Sequence, residues 1–410
     1  MFIFKNKLIK NTSMLYLLSA AKMLFPFLTF PYLTRVLSVD GYALVAYVKA
    51  VMQYMQLWVD FGFILSATKN IVQSGENNNL INHIVSDTML ARVLLGLTGA
   101  VLLAVASASI PLLRQNFLFT WLSYGAVFVS CFMTDYLFRG LEQMQEITIR
   151  FVIMKGISTV LTFLFVQSDK DLLIIPVLDI LSSAAALGLI YFQFRKYNIH
   201  LQIPSFRRAW NYLKESFVYF LSNAATTAFG ALNTLVIGIF LAEKDVAVWA
   251  VSLQLISVIQ MCYGPIIDAV YPEMVRHKQL NLIKKLLFIF MPLIVIGCIV
   301  CYINAPLIIR IAAGNKYTQA VPIFRLMIPV LLFAFPAMLC GWPALGAIGK
   351  IGKTTTTTIV SAVTQCCGLG LLLFLGQFTL PNIALIRDIT EGVLFASRGS
   401  LVWKYRKDFQ

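Results

Sequence analysis

Apolar stretches long enough to cross a bilayer follow one another along the whole chain, separated by short polar or basic turns. About twelve can be marked by length and flanking polarity: 13–34, 42–64, 85–108, 117–138, 147–167, 172–194, 216–241, 246–270, 286–305, 322–345, 355–377 and 382–402. The short alternating segments of a β-barrel are absent. The pattern predicts an all-α integral membrane protein.

The first two stretches form a hairpin, Met14 to Gly62, joined by a polar turn at Arg35 to Tyr42. Polar residues recur inside both. Ser19, Lys22, Pro26 and Thr29 mark one face of the first helix, and Lys49, Gln53, Gln56 and Asp60 one face of the second. A charge at mid-bilayer costs about 2.5 to 3.5 kcal/mol on insertion scales, so such residues face a protein interior or water and serve a function. Two facing stripes predict the wall of a polar cavity. Pairing of Lys22 or Lys49 with Asp60 or another acid, to hold helices together, is the alternative role.

Composition agrees with the pattern. Of 410 residues, 59% are hydrophobic and 12% charged, with mean hydropathy +0.80. The net charge of +15 sits in the turns between spans, where topology and anionic headgroups account for it and nucleic acid is not needed. With the N-terminus inside, internal segments hold roughly twenty lysines and arginines and external ones roughly seven, Lys5, Lys7 and Lys10 among the internal set. Both termini are therefore expected in the cytoplasm. The cysteines fall inside apolar spans and His83, His200 and His277 lie far apart, so neither a metal site nor a cofactor is expected.

A basic loop from Arg195 to Glu215 divides the chain into halves of about six spans, predicting domains at 1–200 and 201–410. The halves echo one another. Leu18-Ser19-Ala20-Ala21 matches Leu221-Ser222-Asn223-Ala224, and Gln53 and Gln56 match Ser257 and Gln260 at one offset. Such parallel repeats predict two six-helix lobes related by a pseudo-two-fold axis along the membrane normal, with a site between them. The echo fails at the lysines: Lys22 corresponds to Thr226, and Lys49 to Leu253. Arg92 and Lys155 add to the first half's cations, whereas the second half offers mainly Arg325. The first lobe is the cationic one. Arg92 and Lys155 sit near span ends, where reaching out to the interface competes with facing the cavity.

The segments Thr34-Arg35-Val36-Leu37-Ser38-Val39-Asp40-Gly41-Tyr42, Asp60-Phe61-Gly62-Phe63 and Phe138-Arg139-Gly140-Leu141-Glu142, set in this topology, resemble Wzx-type O-antigen flippases. These form the polysaccharide-transporter branch of the multidrug/oligosaccharidyl-lipid/polysaccharide exporter superfamily. Ala43 stands where the first motif usually carries a second glycine. The resemblance implies a bacterial inner-membrane transporter, not an enzyme. It would carry an undecaprenyl-pyrophosphate-linked oligosaccharide from the cytoplasmic to the periplasmic leaflet by alternating access. Membrane lipids and other O-antigen assembly proteins would be its further partners.

The residues fit that implication. A pyrophosphate diester needs cations to leave water, and Lys22, Lys49, Arg92 and Lys155 are the candidates. Gln53, Gln56, Ser257 and Gln260 suit sugar hydroxyls. Asp60, Asp268, Arg35 and Arg325 are candidates for coupling or gating. Two other functions are weighed against the flippase. A multidrug or cation antiporter of the same superfamily calls for an acidic first-lobe cavity, and a polymerase-type membrane enzyme for a large loop bearing catalytic groups. Ala347 to Thr354 loosely fits a phosphate-loop pattern, but it joins two spans with no room for a nucleotide domain.

Overall fold

The computed structural model describes residues 2–75 and 77–409; the side chains at 2–9, 222, 225, 226, 228 and 229 lie outside the described set. Lys5, Lys7, Ser222 and Thr226, which entered the charge and repeat readings, are therefore outside the described side chains. Chain packing divides the protein into two compact units, 1–224 and 225–410.

The first unit contains α1 (Phe2–Val36), α2 (Val39–Asp60), α3 (Phe63–Gln73), α4 (Asn78–Ser109), α5 (Pro111–Gln115), α6 (Phe117–Ser130), α7 (Asp135–Gly140), α8 (Met144–Phe165), α9 (Ile174–Lys196) and the start of α10 (Phe206–Phe240). The second continues with α11 (Glu243–Met261), α12 (Gly264–His277), α13 (Leu280–Ile303), α14 (Ala305–Ala312), α15 (Ala320–Met327), α16 (Pro329–Leu339), α17 (Ile351–Phe374) and α18 (Leu380–Lys404). No strand occurs among the described residues.

Nine helical stretches among the described residues are long and apolar enough to cross a membrane. α13 shows why lipid must surround them: its mean hydropathy is 2.9, yet only Ile283 and Cys298 on it are buried, and Phe288 is 83% exposed. With α2 (22 residues), α10 (35 residues) and α18 (25 residues), which have the length but carry more polar groups, the expected number of about twelve spans is reached.

Several predicted spans are broken helices. The hairpin's second helix stops at Phe61 and Gly62, whose φ values of 40° and 79° are left-handed. Glycine is needed at the second position, since a Cβ there would lie 2.8 Å from the Phe220 backbone nitrogen. Phe61 stacks on Phe220 with ring centroids 4.5 Å apart, and Ser66 and Ser216 share a hydrogen bond of 2.6 Å. Ahead of α10, the chain is strapped along α4. Asn82, Ser86 and Asp87 accept from the backbone nitrogens of His200, Gln202 and Ser205 at 3.1, 2.8 and 2.6 Å. Packing thus keeps 201–224 with the first unit, whereas the basic loop marks its boundary at 200.

The hairpin turn is fixed from outside. Asp169, in the connection between α8 and α9, accepts from the Ser38 nitrogen at 2.9 Å. Ser38 in turn caps α2 by accepting from the Gly41 nitrogen at 2.9 Å. Asp169 approaches so closely that a Cβ at Gly41 would lie 2.3 Å from its Oδ1. The acidic pair Asp169 and Asp171 serves this turn and its own cap.

Candidate substrate cavity

α1, α2, α3, α4, α6, α7, α8 and α9 of the first unit line a cavity of about 840 Å³. The predicted stripes line it: Lys22, Pro26 and Thr29 from α1, and Lys49, Gln53, Gln56 and Asp60 from α2. Ser19, the first member of the α1 stripe, does not. Arg92 of α4 and Lys155 of α8 line it too, so both turn inward instead of reaching for the interface. A wall of this polarity needs a fully bonded backbone, which helices provide.

Six basic side chains line the cavity, Lys22, Lys49, Arg92, Arg139, Arg150 and Lys155, against three carboxylates, Asp60, Asp135 and Asp179. Each carboxylate has one cation. Arg92 donates to Asp60 at 2.7 Å and also to the Met133 carbonyl. Arg150 pairs with Asp135, and Lys155 donates to Asp179 at 2.7 Å. The two paired arginines are buried in the wall, with 7% and 5% of their side chains exposed, while their aspartates stay open to the cavity.

Lys22, Lys49 and Arg139 form no ion pair within 4.0 Å among the described residues. Lys22 lies 5.7 Å from the Phe151 ring centroid. Lys49 makes no hydrogen bond to a described residue; the charges it interacts with are Lys155 and Asp179. Arg139 has a buried Nε with no hydrogen-bond partner among the described residues. The pairing of Lys22 or Lys49 with Asp60 is therefore not found, because Arg92 takes that carboxylate.

The polar uncharged groups divide as well. Gln56 exchanges hydrogen bonds with Ser130 at 3.1 and 3.2 Å, which fixes its amide. Gln53, one turn away, is exposed to the cavity.

The remaining candidates lie elsewhere. Arg35 is exposed at the hairpin turn and donates to the Pro31 carbonyl of its own helix at 3.5 Å. Ser257 and Gln260 sit on α11 of the second unit, where Ser257 donates to the Leu253 carbonyl at 2.8 Å. Asp268 is exposed on α12. Arg325 donates to the Tyr302 carbonyl at 3.0 Å and lies over the same residue's ring. None of these five lines the first unit's cavity. Sequence reasoning missed Arg139 and Arg150 as site residues. The available signal for Arg139 was the Phe138 to Glu142 motif. No cluster of three or more His, Cys, Asp or Glu among the described residues could hold a metal.

Helical spans around a cation-rich cavity define a multi-span membrane transporter fold. Solved structures share it: lipid II flippase MurJ in an inward closed conformation, with TM-score 0.69 at 14% identity over 95% of this chain and 87% of that one. An inward-facing multidrug resistance MATE family transporter of the MOP superfamily gives TM-score 0.64 at 13% identity over 94% and 99%. The polysaccharide biosynthesis protein family model matches residues 8–278, and the chain belongs to that family. Among its relatives, a candidate O-antigen transporter of Escherichia coli (strain K12) is 23% identical over 79% of this chain and 80% of its own length. A second, from Shigella dysenteriae, is 28% identical over 68% and 70%. The family expected from the hairpin and its companion motifs is the family found.

Proposed function

We propose that the protein is the flippase that moves an undecaprenyl-pyrophosphate-linked O-antigen oligosaccharide from the cytoplasmic to the periplasmic leaflet of the bacterial inner membrane. The observation that carries this reading is the cavity's three cations without carboxylates, Lys22, Lys49 and Arg139. Cations held at membrane depth without counter-ions are costly unless an anion completes them. Lys49 and Lys22 meet the pyrophosphate, Lys155 assists when it exchanges Asp179 for the ligand, and Gln53 meets sugar hydroxyls. Arg92 is held by Asp60 and Met133 and shapes the wall. A multidrug or cation antiporter is disfavoured, since a cationic cargo would enter a cavity already positive.

The inside-negative potential assists outward movement of a negative headgroup by about 2.3 kcal/mol per charge per 100 mV. The cavity opens alternately to the two sides, the polyprenyl chain remaining in lipid. Lys49→Ala tests the reading in a strain deleted for the gene. Surface O-antigen is lost while membrane insertion and abundance match wild type. Full complementation by the variant would remove Lys49 from the mechanism.

A further inference from the structure

The basic turns of the two units differ in how their charge is met. In the first unit, Lys69 pairs with Glu215 at 3.3 Å, Lys196 with Glu146 at 2.7 Å and Arg208 with Asp87 at 2.5 Å. In the second, the ion pair found among the described residues is His277 with Glu273 at 3.6 Å. Lys284, Lys285, Lys350, Lys404, Arg406 and Lys407 form none there.

These six cations come from three segments that pack on one another. Ile283 of α13, Ala347 of the turn before α17, and Val402 and Phe409 at the end of α18 are buried in one apolar cluster, with Leu282, Ile348 and Tyr405 against it. Burial of Phe409 returns the chain to the body after α18 has ended. The Asp408 nitrogen donates to the Tyr405 carbonyl at 2.9 Å, so the residues between are held in a tight turn.

Tyr405 is the centre of this charge. Lys350 Nζ lies 4.8 Å and Lys404 Nζ 5.9 Å from its ring centroid. The Arg406 guanidinium lies 4.3 Å from the Trp403 ring centroid. Aromatic faces attract cations and offset part of the cost of gathering them, yet they carry no net charge. Asp408 is the one carboxylate in the turn, against Lys350, Lys404, Arg406 and Lys407. Positive charge is left over, more than a single phosphodiester can balance.

The flanking surface is apolar. Trp403 is 70% exposed. On α13, Phe288 stands three positions beyond Lys285 and is almost fully exposed, about 4.5 Å further along the helix. Cations followed within one turn by exposed aromatic rings follow the order of layers in a leaflet, headgroup and then acyl chain.

We propose that this end of the second unit binds an anionic phospholipid carrying two phosphates. Lys350, Lys404 and Arg406 hold the phosphates, and the acyl chains lie on the exposed apolar face of α13. Ammonium groups act on phosphate as point charges, and basic pockets beside spans recognise such headgroups. An acidic protein segment would meet the same charges but would leave Phe288 and Trp403 without a use. The site is independent of what the first unit's cavity carries.

Native mass spectrometry of the full chain in detergent reads the binding, with cardiolipin, phosphatidylglycerol and phosphatidylethanolamine as probes. Wild type holds cardiolipin about five-fold more tightly than phosphatidylglycerol, the worth of one further cation on phosphate, and phosphatidylethanolamine least. Lys350→Gln with Lys404→Gln weakens cardiolipin about twenty-fold. Lys244→Gln, at the start of α11, removes the same kind of charge outside the cluster and leaves cardiolipin binding unchanged. Equal affinity for the three lipids overturns the proposal, and so does undiminished cardiolipin binding in the double variant. If the double variant does not accumulate, exposed Lys404 is tested alone: Lys404→Gln should lose about five-fold, and no loss overturns the proposal. Variants that bind cardiolipin as wild type does but fail in cells would assign this surface to an acidic protein partner instead.

Discussion

The two units use buried charge differently. In the first, basic side chains surround a cavity and outnumber the carboxylates there. In the second, Arg325 and Arg398 are bonded to the protein itself. Arg325 is tied to Tyr302, and Arg398 donates to the Ala337 carbonyl at 2.9 Å, to Thr358 at 3.1 Å and to Thr357 at 3.3 Å. It thereby joins α16, α17 and α18 at a break in the helix. The segment Cys340–Gly346 after α16 is π-helical, with Gly341 at ψ −112°. A Cβ on that glycine would lie 3.0 Å from the Arg398 guanidinium. In a membrane, a carbonyl freed by such a break must be satisfied internally. The same residue type therefore lines a cavity in one unit and replaces a backbone hydrogen bond in the other.

Arg398→Ala should produce the largest effect of this contrast, and it should fall on stability. It strips a carbonyl and two threonines of their donor. A loss of about 3 kcal/mol is expected, read as a lower unfolding midpoint in detergent and reduced accumulation in the membrane. Lys49→Ala, by contrast, changes transport and not accumulation. If Arg398→Ala accumulated normally and failed only in transport, the contrast between the units would collapse.

Asp179→Asn sharpens the comparison within the cavity. It keeps the shape of the side chain but frees Lys155 from its 2.7 Å ion pair. Both partners are 38% exposed, so the gain is modest: geranylgeranyl pyrophosphate should bind roughly five-fold more tightly. Weaker binding would mean that Asp179 itself supports the ligand.

The polar stripe on α2 could be read from the sequence because helical periodicity is local: steps of three and four put Lys49, Gln53, Gln56 and Asp60 on one face whatever surrounds them. What that face meets is not local. Asp60 finds Arg92, Asp135 finds Arg150, and Asp179 finds Lys155, each on another helix, and only those pairings reveal which cations remain. Likewise the basic loop was legible as a division of the chain. The hold of α10 on the first unit was not, since it depends on Phe61, Ser66 and Asp87 receiving it. The break at Phe61–Gly62 had glycine as its sign, but an apolar run masks an interruption that hydropathy does not register.

The smallest effect belongs to the turn before α17. Ala347 to Thr354 resembles a phosphate loop in spelling, yet that motif works when a strand leads into it and backbone amides wrap the phosphate. Here the loop follows the π-helical segment, and α17 starts at Ile351. Gly349 has a φ of 76°, which the turn requires. Gly352 lies in the first turn of α17 with open space where a Cβ would stand, and both it and Lys353 are exposed. Gly352→Val with Lys353→Ala should therefore leave stability within about 0.5 kcal/mol of wild type, as surface changes generally do, and surface O-antigen near its wild-type level. Complete loss of transport with normal accumulation would mean that the backbone of this turn binds a phosphate after all. The second unit would then hold a backbone phosphate site of its own.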